Sequence, residues 1–174
     1  MNRDFKELLA ILNAEQVKYL VVGGYAVSLH AQPRATKDLD ILIKPDLDNA
    51  AALFRALTEF GAPLEGLQPR DFAEPGSFFR MGTPPVMVDI LPEISGVEFD
   101  DAWSRRVVET IDAKTGLQAI FISAADLIAA KQAAGRPQDL ADVAALRKGQ
   151  GTAMPGPKPK PVRSAKKNPP GPAR

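Results

Sequence analysis

Cysteine is absent from this chain, and histidine occurs once, at His30. Without thiols there is no disulfide and no thiolate zinc centre, and one imidazole is too few for a histidine metal site. Any metal bound here must take oxygen ligands, which suits hard ions such as Mg²⁺ or Mn²⁺. Long apolar runs are missing too: none approaches the ~20 residues that cross a bilayer. The first residues mix Arg3, Asp4, Lys6 and Glu7 and lack the apolar core of a signal peptide. The expectation is a cytoplasmic protein with no membrane association.

What is present is 174 residues, 45% of them hydrophobic and 25% charged, a composition that suits one globular domain with a real core. The net charge of +1 hides an uneven distribution. Seven of the 22 Lys and Arg lie in residues 148–174, which hold none of the 21 acids, so residues 1–147 carry −6 and the tail +7. That tail has seven prolines, four glycines and no apolar periodicity, so residues 1–147 are expected to form the domain and 148–174 a disordered basic extension. Its Lys158, Lys160, Arg163, Lys166, Lys167 and Arg174 suit RNA phosphates through counterion release, but no aromatic accompanies them for base stacking. A solubilising extension fits equally.

Phe5, Leu8, Leu9 and Leu12 have helical spacing, and residues 18–22 form a short β-type run ending in Gly23-Gly24, which implies a strand-to-helix turn. The helix that follows must end at Pro33, and a second strand is expected at 38–43. Pro45-Asp46 caps a helix through Leu53, Leu57 and Phe60 that Gly61 closes. Residues 62–75 read as loop, 77–81 and 85–91 as strands around a Gly82-Thr83-Pro84 turn, and 105–111 with 118–122 as a further pair. Ser123 with Asp126 resembles a capping box opening a helix through Lys131, and Arg136-Pro137 starts another with Leu140, Val143 and Leu146 on one face. There is no internal repeat.

Two carboxylate words carry the chemistry: Asp38-Leu39-Asp40-Ile41 and Val88-Asp89-Ile90-Leu91. Residues two apart on a strand share a face, so Asp38 and Asp40 point the same way among apolar neighbours. Ionised carboxylates in such surroundings are costly to desolvate and repel one another, and a divalent cation removes both problems. Asp38, Asp40 and Asp89 are therefore the candidate metal ligands.

The run Val22-Gly23-Gly24, a thirteen-residue gap, Asp38-Leu39-Asp40-Ile41 and the later Asp89 resemble the signature of the nucleotidyltransferase superfamily related to DNA polymerase β. Downstream, Lys131, Arg136-Pro137, Asp139 and Asp142 resemble more narrowly the AbiEii-type and minimal nucleotidyltransferases of bacterial toxin–antitoxin systems. The resemblance covers about residues 17–146 and implies an α/β (α+β) fold, a short twisted mixed β-sheet with flanking helices. It implies that Asp38, Asp40 and Asp89 form a two-metal site acting on an NTP.

A Gly-Gly turn before a helix lets backbone N–H groups approach phosphate, the role implied for Gly23 and Gly24, although many relatives carry serine at the second position. Lys131 would neutralise triphosphate charge while Asp139 or Asp142 orients it or a substrate hydroxyl. Arg34, Thr36 and Lys37 precede the metal strand and are candidates for phosphate or acceptor contact, with a solvated loop an equal reading. His30 reads as a packed or hydrogen-bonded helix residue. The expected reaction moves a nucleoside monophosphate from an NTP to an acceptor hydroxyl. An RNA such as tRNA is the leading acceptor, with a cognate antitoxin protein as a candidate partner. Two alternatives stand beside it: a non-catalytic, antitoxin-like binding member, and transfer to a protein or a small molecule such as an aminoglycoside.

Overall fold

Tyr19, Leu20 and Val21 are fully buried, and the strand they form, β1 (Tyr19–Val21), lies centrally in a mixed sheet with β2 (Leu39–Ile43), β3 (Phe79–Thr83), β4 (Val86–Leu91), β5 (Val107–Asp112) and β6 (Leu117–Phe121). In this computed structural model, which describes residues 1–152, the strand order is β3-β4-β2-β1-β6-β5. The pairs β1/β2, β3/β4 and β5/β6 are antiparallel, whereas β1/β6 and β2/β4 are parallel. The β2/β4 register sets Asp40 directly beside Asp89. This is the mixed sheet with flanking helices that the sequence led us to expect.

Helix α1 (Arg3–Ala14) buries Phe5, Leu8, Leu9 and Leu12 and packs on α3 (Leu47–Phe60). Asp46 caps α3 by accepting from the Asn49 N–H at 2.8 Å, and Gly61 ends it in the left-handed conformation at φ 82°. Buried Asn49 ties the outer ends of β1 and β2 to this helix: it accepts from the Lys18 N–H (2.7 Å) and donates to the Lys18 and Lys44 carbonyls (both 3.0 Å). Helices α2 (Gly23–His30), α5 (Ala124–Ala134) and α6 (Pro137–Thr152) pack on one another. His30 is the hydrogen-bonded helix residue anticipated, its Nε2 donating to the Ile122 carbonyl at 2.7 Å.

Several local expectations are corrected. The loop at 62–75 contains a short 3-10 turn, Pro69–Ala73, that buries Phe72, and a six-residue helix, α4 (Phe99–Ser104), precedes β5. The hairpin turn lies at Pro84-Pro85, because β3 runs on to Thr83. Asp38 falls one residue short of β2. Asp126 does not complete a capping box: its carboxylate accepts from the Ser123 hydroxyl (2.6 Å) and the Arg105 guanidinium (2.7 Å) rather than from the Ser123 N–H. Leu140 is 53% exposed, and the buried face of α6 is Asp139, Asp142, Val143 and Leu146, since two buried acids take the inward positions. Helix α6 also continues to Thr152, past the Lys148 at which the tail was expected to begin; the rest of that tail lies outside the described residues. Among the described residues, no helix is long and apolar enough to cross a membrane.

Candidate active site

The run from β1 to α2 passes through Gly23 at φ 60°, a left-handed conformation that favours glycine. The position has a second constraint, since a Cβ there would overlap the Asp40 carboxylate, whose Cγ lies only 2.6 Å from where it would stand. Gly24 is confined in the same way by Thr36, whose Oγ1 would be 2.5 Å from an added Cβ. The Gly-Gly turn thus lets this chain's own Asp40 and Thr36 close onto the N-terminus of α2. Thr36 Oγ1 in turn donates to the Asp38 carbonyl at 3.3 Å.

Burial pushes the Asp40 carboxyl above its ordinary range, and the negative charges of Asp89 and Asp38 push it further; the Gly24 N–H and the Lys131 ammonium partly oppose them. Asp89 is only 8% exposed, and both of its oxygens are engaged by Arg80, through Nε and Nη2 at 2.6 Å each. Arg80 lies directly opposite Asp89 in the β3/β4 register. Among the described residues, no group of three or more His, Asp or Glu stands ready to hold a metal ion. Asp38 is exposed and Asp89 is turned onto Arg80.

A second cluster joins α5 to α6. Lys131 Nζ contacts Asp139 at 3.2 Å and Asp142 at 2.7 Å, and all three side chains are largely buried. Arg136 Nε meets Asp139 at 2.6 Å, while Arg34 Nη1 meets Asp142 at 3.2 Å and Gln138 donates to the same carboxylate at 3.2 Å. The Arg136 guanidinium, aided by Lys131, holds the Asp139 carboxyl below its ordinary range. Three cations face two aspartates, which leaves one positive charge in excess.

Four of the anticipated residues, Gly23, Asp40, Lys131 and Asp139, line one cavity of about 670 Å³ together with Arg136, Glu93 and Ser95. That volume falls within the usual small-ligand range of about 300–1,000 Å³. Asp38, Asp89, Asp142 and Arg34 are not among its lining residues: the first two act on Asp40 through their charge, and Asp142 joins Lys131 to Arg34. Gly24 and Thr36 touch each other beneath the turn, and Lys37 is exposed on the approach to β2. Arg80, Glu93 and Ser95 escaped the sequence reading. Arg80 was findable: a turn at 84–85 pairs position 80 with 89, whereas the turn assumed at 82–84 does not. Glu93 and Ser95 lie in the loop after β4, where no periodicity marks them.

A sequence profile of the family described as "Nucleotidyltransferase of unknown function (DUF6036)" matches residues 2–147. No curated protein matches the chain. Among solved structures, the lincosamide antibiotic adenylyltransferase LnuA, lincomycin-bound, is similar at TM-score 0.55 and 14% identity, covering 84% of this chain and 96% of that one. A Thermotoga maritima protein assigned to the nucleotidyltransferases aligns at TM-score 0.51 and 18% identity over 86% of this chain and 91% of that one. An antigenic nucleotidyltransferase-like protein from Paracoccidioides brasiliensis aligns at 0.50 and 17% identity, over 87% and 75%. At such identities the likeness is one of fold.

Proposed function

The chain belongs to the nucleotidyltransferase family whose profile matches residues 2–147, and we propose that it moves a nucleoside monophosphate from an NTP to an acceptor hydroxyl with the help of Mg²⁺ or Mn²⁺. The observation that carries this reading is the cavity itself. It brings Asp40, aligned with Asp89 on the neighbouring parallel strand, together with Lys131 and Arg136. Such a site has carboxylates for a cation at one part of its wall and cations for a triphosphate at another.

The donor chemistry of Asp38, Asp40 and Asp89 fits a hard divalent cation: all ligands are oxygens, and Asp40 carries negative charge that its neighbours make harder to hold. Asp38 and Asp40 would hold the cation, with Asp89 completing the set, and it would polarise phosphate oxygens. Lys131 and Arg136 bind triphosphate oxygens, and Gly23, which lines the same cavity, lets Asp40 close onto the start of α2 beside them. The acceptor oxygen bonds to the α-phosphorus as the bond to the β-phosphate oxygen breaks. Pyrophosphate leaves, and the hydroxyl proton passes to a carboxylate of the aspartate group.

For the acceptor we favour an RNA such as tRNA, in a toxin–antitoxin setting with a cognate antitoxin as partner. The resemblance of the Lys131 to Asp142 segment to AbiEii-type enzymes supports this, as does the +7 tail. A small-molecule acceptor is the second reading, favoured by the fold likeness to the lincosamide enzyme over 96% of its length. Incubation with each α-labelled NTP, Mg²⁺ and either total RNA, protein extract or a panel of hydroxylated antibiotics separates them. Label in the RNA fraction that falls when the chain is ended at Thr152 supports the first. Label only on an antibiotic or a protein overturns it.

A further inference from the structure

Arg80 stands outside every role assigned so far, yet it is the partner of the most enclosed of the three candidate metal ligands, Asp89. Its fork spends both oxygens of Asp89 at 2.6 Å, and backbone register places the two residues face to face across β3 and β4. Asp89 is 8% exposed, whereas just over half of the Arg80 side chain is open to solvent. Its guanidinium also feels the charges of Asp38 and Asp40, so it serves as counter-cation to the very carboxylates that would hold a divalent ion.

A carboxylate gripped by a bidentate guanidinium has its best lone pairs occupied and cannot offer them to a cation as well. Resting on the nucleotidyl-transfer reading, we propose that Arg80 and the divalent cation compete for Asp89, making Arg80 a positioning residue that must swing away before Asp89 joins the metal set. The exposed arm has room for that motion. Phe78, 62% exposed, already has its ring 5.9 Å from the guanidinium carbon while the fork holds Asp89, and this cation–π contact can follow the arm outward. Nucleotide phosphate offers it a resting place matched to the same planar fork.

Competition makes a prediction opposite in sign to a merely structural role: weakening the fork should tighten metal binding. Mn²⁺ alone is titrated into the full chain and free ion is read by electron paramagnetic resonance, for wild type, Arg80→Gln and Arg80→Lys, with circular dichroism checking the fold. Arg80→Gln should lower the Mn²⁺ dissociation constant about fivefold or more, and Arg80→Lys, which keeps the charge but loses the fork, by a smaller factor. In an Asp89→Asn background, Arg80→Lys should change nothing. If Arg80→Gln does not fold, Arg80→Lys decides alone. Tightening with Gln but not with Lys would mean simple long-range charge and would overturn the proposal. So would unchanged or weaker binding in both. Equal binding in all three proteins refutes the competition while leaving nucleotidyl transfer standing, whereas no Mn²⁺ binding by any of them, with or without NTP, refutes both.

Discussion

Gly23→Ala tests the close approach of Asp40 to the start of α2. Two costs are expected. The first is conformational: Gly23 sits at φ 60°, where an L-residue loses about 1–2 kcal/mol. The second is steric, because the new Cβ would overlap the Asp40 carboxylate, and crowding of this kind costs about 1–3 kcal/mol more. Gly61→Ala isolates the first cost, since Gly61 has φ 82° and nothing within 4 Å of an added Cβ. For a chain of this size each kcal/mol lowers Tm by about 2–4 °C, so Gly23→Ala should melt about 2–12 °C below Gly61→Ala. A double-mutant cycle in urea sharpens the assignment: Asp40→Gly removes every atom in the clash, so in that background Gly23→Ala should cost no more than Gly61→Ala. Equal losses for the two alanines in the wild-type background, or no relief from Asp40→Gly, would refute the packing of Asp40 against the turn.

Lys131→Met should be both inactive and less stable, because Asp139 and Asp142 would stay buried with only Arg136 and Arg34 beside them; about 3 kcal/mol by urea denaturation is expected, the low end for breaking a buried pair. Full activity would return Lys131 to a purely structural role. The two wings of the site should respond oppositely to pH. Asp40, whose folded value is raised above 3.8, costs stability at neutral pH and is relieved as pH falls through that raised value, so Asp40→Asn should stabilise at pH 7 and lose its advantage towards pH 4. Asp139, whose folded value is lowered below 3.8 by Arg136 and Lys131, contributes stability above that pH that disappears as pH falls through the lowered value, so the deficit of Asp139→Asn should close only in acid. Mg²⁺ with NTP at a hundred times the dissociation constant should add about 2.7 kcal/mol, or about 5–11 °C in Tm, and EDTA should abolish most of the shift.

The carboxylate words were visible in sequence because Asp40 and Asp89 each interrupt an apolar strand, a local pattern that only a partner or a ligand makes tolerable, whereas Asp38 proves to be an exposed residue just outside β2. Gly23-Gly24 was visible because a β-type run stops there. What local pattern does not encode is pairing at a distance: nothing near residue 40 says that β2 runs parallel to β4, which is the step that sets Asp40 beside Asp89. Arg80 was lost to a misplaced turn, since displacing the hairpin loop moves every partner across the ladder. Leu140 was misassigned because binary patterning puts leucine inside, whereas α6 turns Asp139 and Asp142 inward to meet Lys131. Buried ion pairs invert the rule on which periodicity depends. Asn49 shows the same limit, as its three hydrogen bonds join segments that only the folded sheet brings together.

If the aspartates of β2 and β4 support nucleotidyl transfer as proposed, Asp40 is the one to change, because it both lines the cavity and touches the Gly-Gly turn. Asn has the same shape but cannot supply the charge. The deciding measurement is release of labelled pyrophosphate from γ-labelled NTP in the presence of Mg²⁺ and total RNA, by wild type and by Asp40→Asn at matched, folded concentrations. Metal-dependent release is expected from wild type, with a loss of at least about two orders of magnitude in the variant, the scale of removing a group that stabilises the transition state. Release by Asp40→Asn at the wild-type rate would contradict the proposal.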